Sequence, residues 1–239
     1  MPDCLIVTGG KNTRFGGKPK SLVQICGKTL LDINIGLMQK FCRKVFVCYF
    51  YEYESEFKIV ANRHPGVVWI RLNKRLGEGD AILSCLESRK DMGEDLIIKW
   101  GDSFQDEMVL NKLINEAIAE FNVICQMENK PYVRFNTRPD GSISSIEFSK
   151  YEKINGSGWH DLSVFLIKKA PVLGFMKKYR TKYFNNVIYT TFNNEFNLLR
   201  MINEFKDIKT KVICCDGRQI SSFNTPGELK KMRKMLNEK

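Results

Sequence analysis

Long apolar runs, histidine and paired cysteines are all scarce in this chain, and each scarcity excludes a class of protein. No apolar stretch approaches the roughly 18–20 residues of a membrane-spanning helix, so we expect no insertion into a membrane. The apolar start of the chain has no basic leader, which argues against a signal peptide and predicts a cytoplasmic protein. Two histidines and eight cysteines without a Cys-x-x-Cys pair argue against a zinc site and favour buried free thiols.

Positive charge is in excess, with a formal net charge of +11. Such an excess is typical of proteins that bind nucleic acid, and also of proteins that bind small phosphorylated ligands. The basic residues are spread along the chain, and the densest run, 230–234, has the spacing of a solvated helix end. Zinc-finger spacing and aromatic RNA-binding motifs are absent, but charge alone leaves both ligand classes open.

Strand-like and helix-like segments alternate through the first half of the chain. The predicted strands are Leu5–Thr8, Lys44–Tyr51, Val67–Leu72, Asp95–Trp100 and Asn122–Met127, and the predicted helices are Leu30–Lys40, Ala81–Arg89 and Val109–Phe121. Short apolar and β-branched runs favour strands, and longer amphipathic segments favour helices. This alternation predicts a mostly parallel sheet with helices on both faces.

The pattern changes after about residue 130. Two alternating segments flank Pro139-Asp140-Gly141, whose proline and glycine suit a tight turn, so we predict a β-hairpin. Further predicted elements are the strands Asp161–Ile167 and Lys211–Cys215 and the helices Phe196–Phe205 and Thr225–Leu236. The expected fold is a Rossmann-like three-layer α/β/α sandwich. It comprises residues 1–239 as one domain, with an antiparallel hairpin insertion at about 130–160.

A basic segment rich in glycine follows the first predicted strand. Ligands of open α/β sheets bind at the carboxyl ends of the strands, which is where Gly9 and Gly10 stand. Glycine lets backbone amides approach an anion closely, and Arg14 and Lys20 supply charge for phosphate oxygens. The segment therefore predicts a ligand rich in phosphate, and the alternative is a basic loop that contains glycines by chance.

Two well-known phosphate-binding loops do not match this segment. A Walker A loop requires GxxxxGK[ST], and Leu22 stands where its first glycine belongs if Gly27-Lys28-Thr29 is taken as the end. The dinucleotide-binding pattern GxGxxG is also absent. A different phosphate-binding arrangement is therefore expected.

The segment resembles the signature of the nucleotidyltransferase (NTP-transferase) family, which activates sugar phosphates and related phosphorylated alcohols. The matching parts are the strand Leu5–Val7, then Gly10-Lys11-Asn12-Thr13-Arg14, Pro19-Lys20, Leu22-Val23, Gly27-Lys28 and Leu30-Leu31. Asn12 replaces the usual second glycine, and asparagine accepts a positive φ better than most residues. The short gap between Arg14 and Lys20 also resembles that of molybdenum-cofactor guanylyltransferases.

Further segments resemble the same family in the same order along the chain. They are Leu76–Ala81, Trp100–Ser103, the pair Glu152-Lys153 after the hairpin, Asp161–Phe165 and Phe223–Leu229. The resemblance implies that the nucleotide is bound by Thr8, Gly9, Gly10, Asn12, Thr13, Arg14, Lys20, Gly77, Gly79 and Asp80. It implies an acceptor site at Glu152, Lys153 and Asp161, and Mg²⁺ held by Asp102 and Asn224.

Several of these residues have an ordinary structural alternative. An aspartate after a strand, such as Asp102, often caps a turn, and Asn224 suits the cap of the last helix. The family's usual second aspartate is missing from the closing segment, so Ser222 and Asp216 remain alternatives to Asn224 as the second metal ligand. Glu152-Lys153 also suits an exposed surface pair.

The resemblance implies an enzyme that joins an NTP to a phosphorylated acceptor and releases pyrophosphate, with Arg14, Lys20 and Asp102 as its catalytic groups. CTP is the favoured nucleotide, with UTP and GTP open. A metal-dependent glycosyltransferase would show a DxD motif, which Asp102-Ser103-Phe104 breaks. A non-catalytic nucleotide-binding or nucleic-acid-binding protein would not need Arg14, Lys20 and Asp102 together, so we do not expect a nucleic-acid partner.

Overall fold

The computed structural model describes residues 1–8, 19–149, 154–184, 195–216, 223 and 225–237. Its strands are β1 Asp3–Val7, β2 Gln24–Ile25, β3 Lys28–Thr29, β4 Val45–Phe50, β5 Val68–Leu72, β6 Asp95–Trp100, β7 Phe121–Asn129, β8 Val133–Thr137, β9 Ile143–Phe148, β10 Ser157–Lys168 and β11 Thr210–Cys214. Its α-helices are α1 Leu30–Phe41, α2 Glu54–Ala61, α3 Glu78–Ser88, α4 Glu107–Glu116, α5 Lys169–Phe184, α6 Leu198–Ile202 and α7 Pro226–Asn237. Single 3₁₀ turns cover Lys20–Leu22 and Tyr51–Tyr53.

The main sheet has the strand order β11-β7-β10-β6-β1-β4-β5. β1 is parallel to β4 and β6, β4 is parallel to β5, and β11 is parallel to β7. Only β10 on this path runs antiparallel to both of its neighbours. The chain leaves β1 through β4 and β5 and returns on the other side of β1 as β6. The boundary between β1 and β6 is therefore the switch point at which ligands of such sheets bind.

Apolar side chains cover both faces of the sheet, which confirms the predicted three-layer α/β/α architecture. In β1, Leu5 and Val7 face a core that includes α3 and α5. Cys4 and Ile6 face the opposite core, which includes α1, α2 and α4. Burial on both faces is the reason that the strands read as nearly continuous apolar runs. Six of the eight cysteines are buried and all eight are free thiols, as expected.

The predicted hairpin is present as β8 and β9. Gly141 has a φ of +80°, and the side chain of Asp140 accepts hydrogen bonds from the amide and hydroxyl of Ser142. These contacts close the turn that the Pro-Asp-Gly sequence predicts. β8 also pairs with β10 where Phe135 faces Trp159, which attaches the hairpin to the main sheet.

The predicted helix Val109–Phe121 is wrong at its C-terminal end. The side-chain oxygen of Asn122 accepts hydrogen bonds from the amides of Ile118 and Ala119, and this turn leads directly into β7. The helix therefore stops at Glu116, and Phe121 belongs to the strand. Helix α5, for which no prediction was made, buries Val172, Met176 and Tyr179 at helical spacing. None of the helices in the described part of the chain is both long and apolar enough to span a membrane.

Candidate active site

The carboxyl ends of β1 and β6 are in direct contact. The amide of Gly101 donates a hydrogen bond to the carbonyl oxygen of Val7 at 2.8 Å. A Cβ atom at Gly101 would lie 3.0 Å from Cγ2 of Thr8 and 3.2 Å from the carbonyl oxygen of Val7, so glycine permits this close approach. The contact places Asp102 beside the end of β1, where the predicted phosphate-binding segment begins.

Lys20 and Asp102 form an ion pair at this edge of the sheet. The Nζ of Lys20 lies 3.3 Å from Oδ2 of Asp102, and their side chains are 10% and 32% exposed. The ring of Phe223, which is fully buried, lies beneath the ammonium with its centroid 5.8 Å away. The structure thus brings together the cation predicted to bind phosphate and the carboxylate predicted to bind metal, although they are 82 residues apart in sequence.

Lys99 was not predicted as a site residue, and it lies fully buried three positions before Asp102. Burial lowers its pKa to about 7, while the Cys4 thiol and the Asp102 carboxylate act in the opposite direction. The Nζ of Lys99 contacts oxygens of the turn that carries Asp102. The signal for it was present in the sequence, because a lysine interrupts the otherwise apolar run 96–100 of a central strand.

The glycines at the start of α3 allow another part of the chain to lie against the helix. The amide of Gly79 donates to the carbonyl oxygen of Phe196 at 2.9 Å, and the amide of Phe196 donates to that of Leu76 at 2.6 Å. Gly77 has a φ of +104°, and a Cβ atom there would lie only 2.3 Å from the carbonyl oxygen of Phe196. These backbone contacts leave no room for a side chain at Gly77 or Gly79. A contact between the two glycines and a nucleotide stays a prediction.

Two carboxyl groups near the same helix start are held in unusual surroundings. Burial raises the pKa of Glu78 to about 7, and the charge of Glu195 acts in the same direction. Burial also raises the pKa of Asp80, which the charge of Arg180 on α5 opposes. Asp80 is 8% exposed. Its contact with the nucleotide stays a prediction.

Asp161 lies on β10 at an irregularity in the strand. The pairing with β7 shifts register between Asp161 and Phe165, and Ser163 has a φ of +61°. Oδ1 of Asp161 accepts a hydrogen bond from the amide of Ser163 at 2.9 Å. Burial raises the pKa of Asp161, and the His160 charge opposes this. Its predicted role with the acceptor is untested.

Thr8 directly follows β1 and is buried. Its hydroxyl donates to the carbonyl oxygen of Cys48 at 2.6 Å, which fastens the end of β1 to β4. The predicted contact between Thr8 and the nucleotide stays a prediction. The remaining predicted residues lie outside the described residues: Gly9, Gly10, Asn12, Thr13, Arg14, Glu152, Lys153, Ser222 and Asn224.

The donor set around Asp102 is compatible with magnesium. Within the described ranges, no cluster of three or more histidine, cysteine, aspartate or glutamate side chains could hold a metal ion by itself. Magnesium prefers hard oxygen ligands and usually keeps several waters, so one or two protein ligands and phosphate oxygens suffice. A partly exposed single carboxylate, as at Asp102, fits such a site.

Comparisons with known proteins give a sequence relative and solved structures of similar fold. Over 99 residues the chain is 34% identical to the bifunctional protein GlmU of Buchnera aphidicola subsp. Baizongia pistaciae, a match that covers 41% of this chain and 22% of that protein. The chain thus spans about a fifth of that relative's length. The crystal structure of HddC from Yersinia pseudotuberculosis has a TM-score of 0.76 at 16% identity and covers 99% of this chain and 100% of that chain.

The same fold occurs in another solved structure, the inositol-1-phosphate CTP transferase from T. maritima. Its TM-score is 0.76 at 15% identity, over 100% of this chain and 96% of that chain. HddC has also been solved in complex with GMP-PN, with a TM-score of 0.74 at 18% identity and coverage of 99% of this chain and 100% of that chain. At these identities the likeness shows the fold alone.

The fold and the sequence motifs define a protein of the nucleotidyltransferase class, as the sequence resemblance predicted. The family model described as the MobA-like NTP transferase domain matches residues 4–141, more than half of the chain. The protein therefore belongs to the MobA-like NTP transferase family.

Proposed function

We propose that the protein transfers a nucleotidyl group from an NTP to the phosphate of a phosphorylated sugar or alcohol and releases pyrophosphate. The observation that carries this proposal is the pair of Lys20 and Asp102. A cation suited to phosphate and a carboxylate suited to metal lie 3.3 Å apart where ligands of such sheets bind. Membership of the NTP transferase family supports the same reaction.

The reaction needs no covalent bond to the enzyme. An oxygen of the acceptor phosphate bonds to the α-phosphorus, and the bond to the bridging oxygen of the β-phosphate breaks, so pyrophosphate leaves with the electron pair. Lys20 would hold the α-phosphate and the incoming phosphate in line and offset their negative charge. Arg14 and the amides of Gly9 and Gly10 would hold the phosphates that become pyrophosphate. Catalysis is then positioning and charge neutralisation.

Magnesium, when bound, supplies positive charge beside the α-phosphate. Asp102 would hold it, with Asn224 as a second and neutral ligand and Ser222 or Asp216 as alternatives. The carboxylate of Asp102 is paired with Lys20, so a metal ion and the lysine would compete for its oxygens. We therefore expect weak metal binding until nucleotide phosphates complete the site and take over Lys20.

The favoured nucleotide is CTP, with UTP and GTP as further candidates. The fold shared with the T. maritima CTP transferase supports CTP. The MobA-like family match and the GMP-PN complex of HddC favour a second candidate, a guanylyltransferase of the molybdenum-cofactor type. A glycosyltransferase has less support, because the segment after β6 lacks a second aspartate in the DxD position.

A thermal-shift screen of the four NTPs with and without Mg²⁺ tests the proposal, because a ligand at 100 times its Kd stabilises by about 2.7 kcal/mol. The screen compares the wild type with Asp102→Asn and with the matched control Asp95→Asn. Asp95 lies on the same strand at its opposite end, in an exposed pair with Lys168. Pyrophosphate release from the stabilising NTP is then measured with phosphorylated sugars and alcohols.

We expect one NTP to raise the melting temperature of the wild type and of Asp95→Asn more strongly when Mg²⁺ is present. Asp102→Asn should lose the additional effect of Mg²⁺ and the release of pyrophosphate. The proposal fails if none of the four NTPs stabilises the wild type, or if Asp102→Asn keeps the full effect of Mg²⁺ and full turnover.

A further inference from the structure

Lys99 is a buried lysine near the C-terminal end of the central strand β6. It has no exposed surface, and its strand neighbours Ile98 and Ile97 are also fully buried. Burying a charged group costs free energy unless hydrogen-bond partners surround it. An ordinary core position would therefore carry an apolar residue. The contacts of the Lys99 amine indicate the role that offsets this cost.

The side-chain hydrogen bonds described for Lys99 go to the last residue of β6 and to the segment that follows it. Its Nζ lies 2.9 Å from the carbonyl oxygen of Ser103, 3.3 Å from the hydroxyl of Ser103 and 3.3 Å from the carbonyl oxygen of Trp100. It also donates to Oε1 of Gln105. Because Asp102 lies within this turn, the amine holds the backbone on both sides of that carboxylate.

The same turn is fastened from two other elements. Gln105 donates from Nε2 to the hydroxyl of Ser103 and to the carbonyl oxygen of Leu162, which lies in the irregular part of β10 next to Asp161. From α1, Nδ2 of Asn34 donates to the carbonyl oxygens of Gly101 and Ser103 at 3.2 and 3.0 Å. Hydrogen bonds thus connect the turn to β6, α1 and β10. Within the turn, the amine of Lys99 contacts Ser103, the residue next to Asp102.

We propose that Lys99 is a positioning residue that fixes the Asp102 turn for metal and phosphate binding. This inference rests on the proposed function. With the amine removed, four acceptor oxygens each lose one hydrogen bond, and Oε1 of Gln105 loses the donor described for it. We expect the carboxylate of Asp102 then to lose its defined place beside Lys20. Mutation of a residue that positions a metal ligand through hydrogen bonds typically weakens metal affinity 10- to 100-fold.

The test uses Lys99→Met, which keeps the length of the side chain but removes the amine. Asn122→Leu is the matched control, because Asn122 is another buried polar residue, 2% exposed. It lies at the N-terminal end of β7, whereas Lys99 lies near the C-terminal end of β6. It bonds the amides of Ile118 and Ala119 and the carbonyl oxygen of Leu166. If Lys99→Met does not fold, Ser103→Ala removes one acceptor of Lys99 with a smaller change in volume.

Two readouts separate positioning from general stability. Hydrogen exchange should become at least about 10-fold faster for residues 100–105 and 162–163 in Lys99→Met, while in Asn122→Leu the increase should be confined to residues 117–123 and 166. Calorimetric titration of Mg²⁺ in the presence of inorganic pyrophosphate should show about 10-fold weaker metal binding in Lys99→Met. Pyrophosphate binding without metal should change less than about twofold, and the control should match the wild type.

The inference is overturned if Lys99→Met, or Ser103→Ala in its place, leaves both the exchange of residues 100–105 and the Mg²⁺ affinity as in the wild type. It is also overturned if Asn122→Leu weakens Mg²⁺ binding to the same degree, because the effect would then be general destabilisation. A wild type that binds no Mg²⁺ with pyrophosphate or with any NTP refutes the proposed function. Hydrogen exchange alone then decides whether Lys99 orders the turn.

Discussion

Replacing Glu78 with glutamine should stabilise the protein at neutral and alkaline pH. Glu78 opens α3, where burial and the neighbouring Glu195 raise its pKa from 4.5 to about 7. Between those two pH values the folded state holds a proton that the unfolded state has released. The free energy of unfolding of the wild type therefore falls as pH rises through this window, and the full penalty remains above pH 7.

The magnitude follows from the size of the shift. A change of about 2.5 units corresponds to at most about 3.4 kcal/mol at 1.36 kcal/mol per unit. By surface area Glu78 is only half-buried, so solvent screening reduces the expected gain to about 1–2 kcal/mol. Glutamine keeps the shape of the side chain and can still accept a hydrogen bond from the amide of Leu198.

Urea denaturation at pH 4 and at pH 8 measures the effect. Glu78→Gln should match the wild type at pH 4 and exceed it by about 1–2 kcal/mol at pH 8. The control is Glu107→Gln on α4, where an exposed pair with Lys40 should contribute less than about 1 kcal/mol. Equal stability of Glu78→Gln and wild type at pH 8, or a gain of the same size at pH 4, would refute the reasoning.

Three further predictions concern the glycine contact and the two proposed ligand groups. Gly77→Ala should lower the free energy of unfolding by more than about 2 kcal/mol in urea denaturation, because φ at Gly77 is +104° and an added Cβ would overlap the carbonyl oxygen of Phe196. The control is Gly174→Ala on α5, where an added Cβ would meet no atom within 4 Å. Lys20→Ala should lower turnover about 10²-fold or more with a smaller change in NTP affinity, and wild-type turnover would contradict the role of Lys20. Asn224→Asp should stay active and bind Mg²⁺ at lower concentration in a calorimetric titration, and unchanged Mg²⁺ affinity would remove Asn224 from the metal site.

The sequence predicted most of the secondary structure that surrounds the site. The strands β1, β4, β5 and β6 and the helix α1 were predicted to within about three residues at each end, because each combines an apolar pattern with clear end signals. In α1 the end signal is a capping box, in which Thr29 and Asp32 bond each other's amides. Helix α5 was not predicted, although the helical spacing of the buried residues Val172, Met176 and Tyr179 is visible in the sequence.

Local patterns and the order of motifs along the chain determined the fold class, the hairpin and the family resemblance, because these depend on residues near each other in sequence. Only the tertiary structure decided that β10 enters antiparallel between β6 and β7. Only the tertiary structure paired Lys20 with Asp102 across 82 residues and turned the amine of Lys99 toward the turn beside that carboxylate. Such contacts form between distant segments only when the helices and sheet pack, so no periodicity in the sequence encodes them.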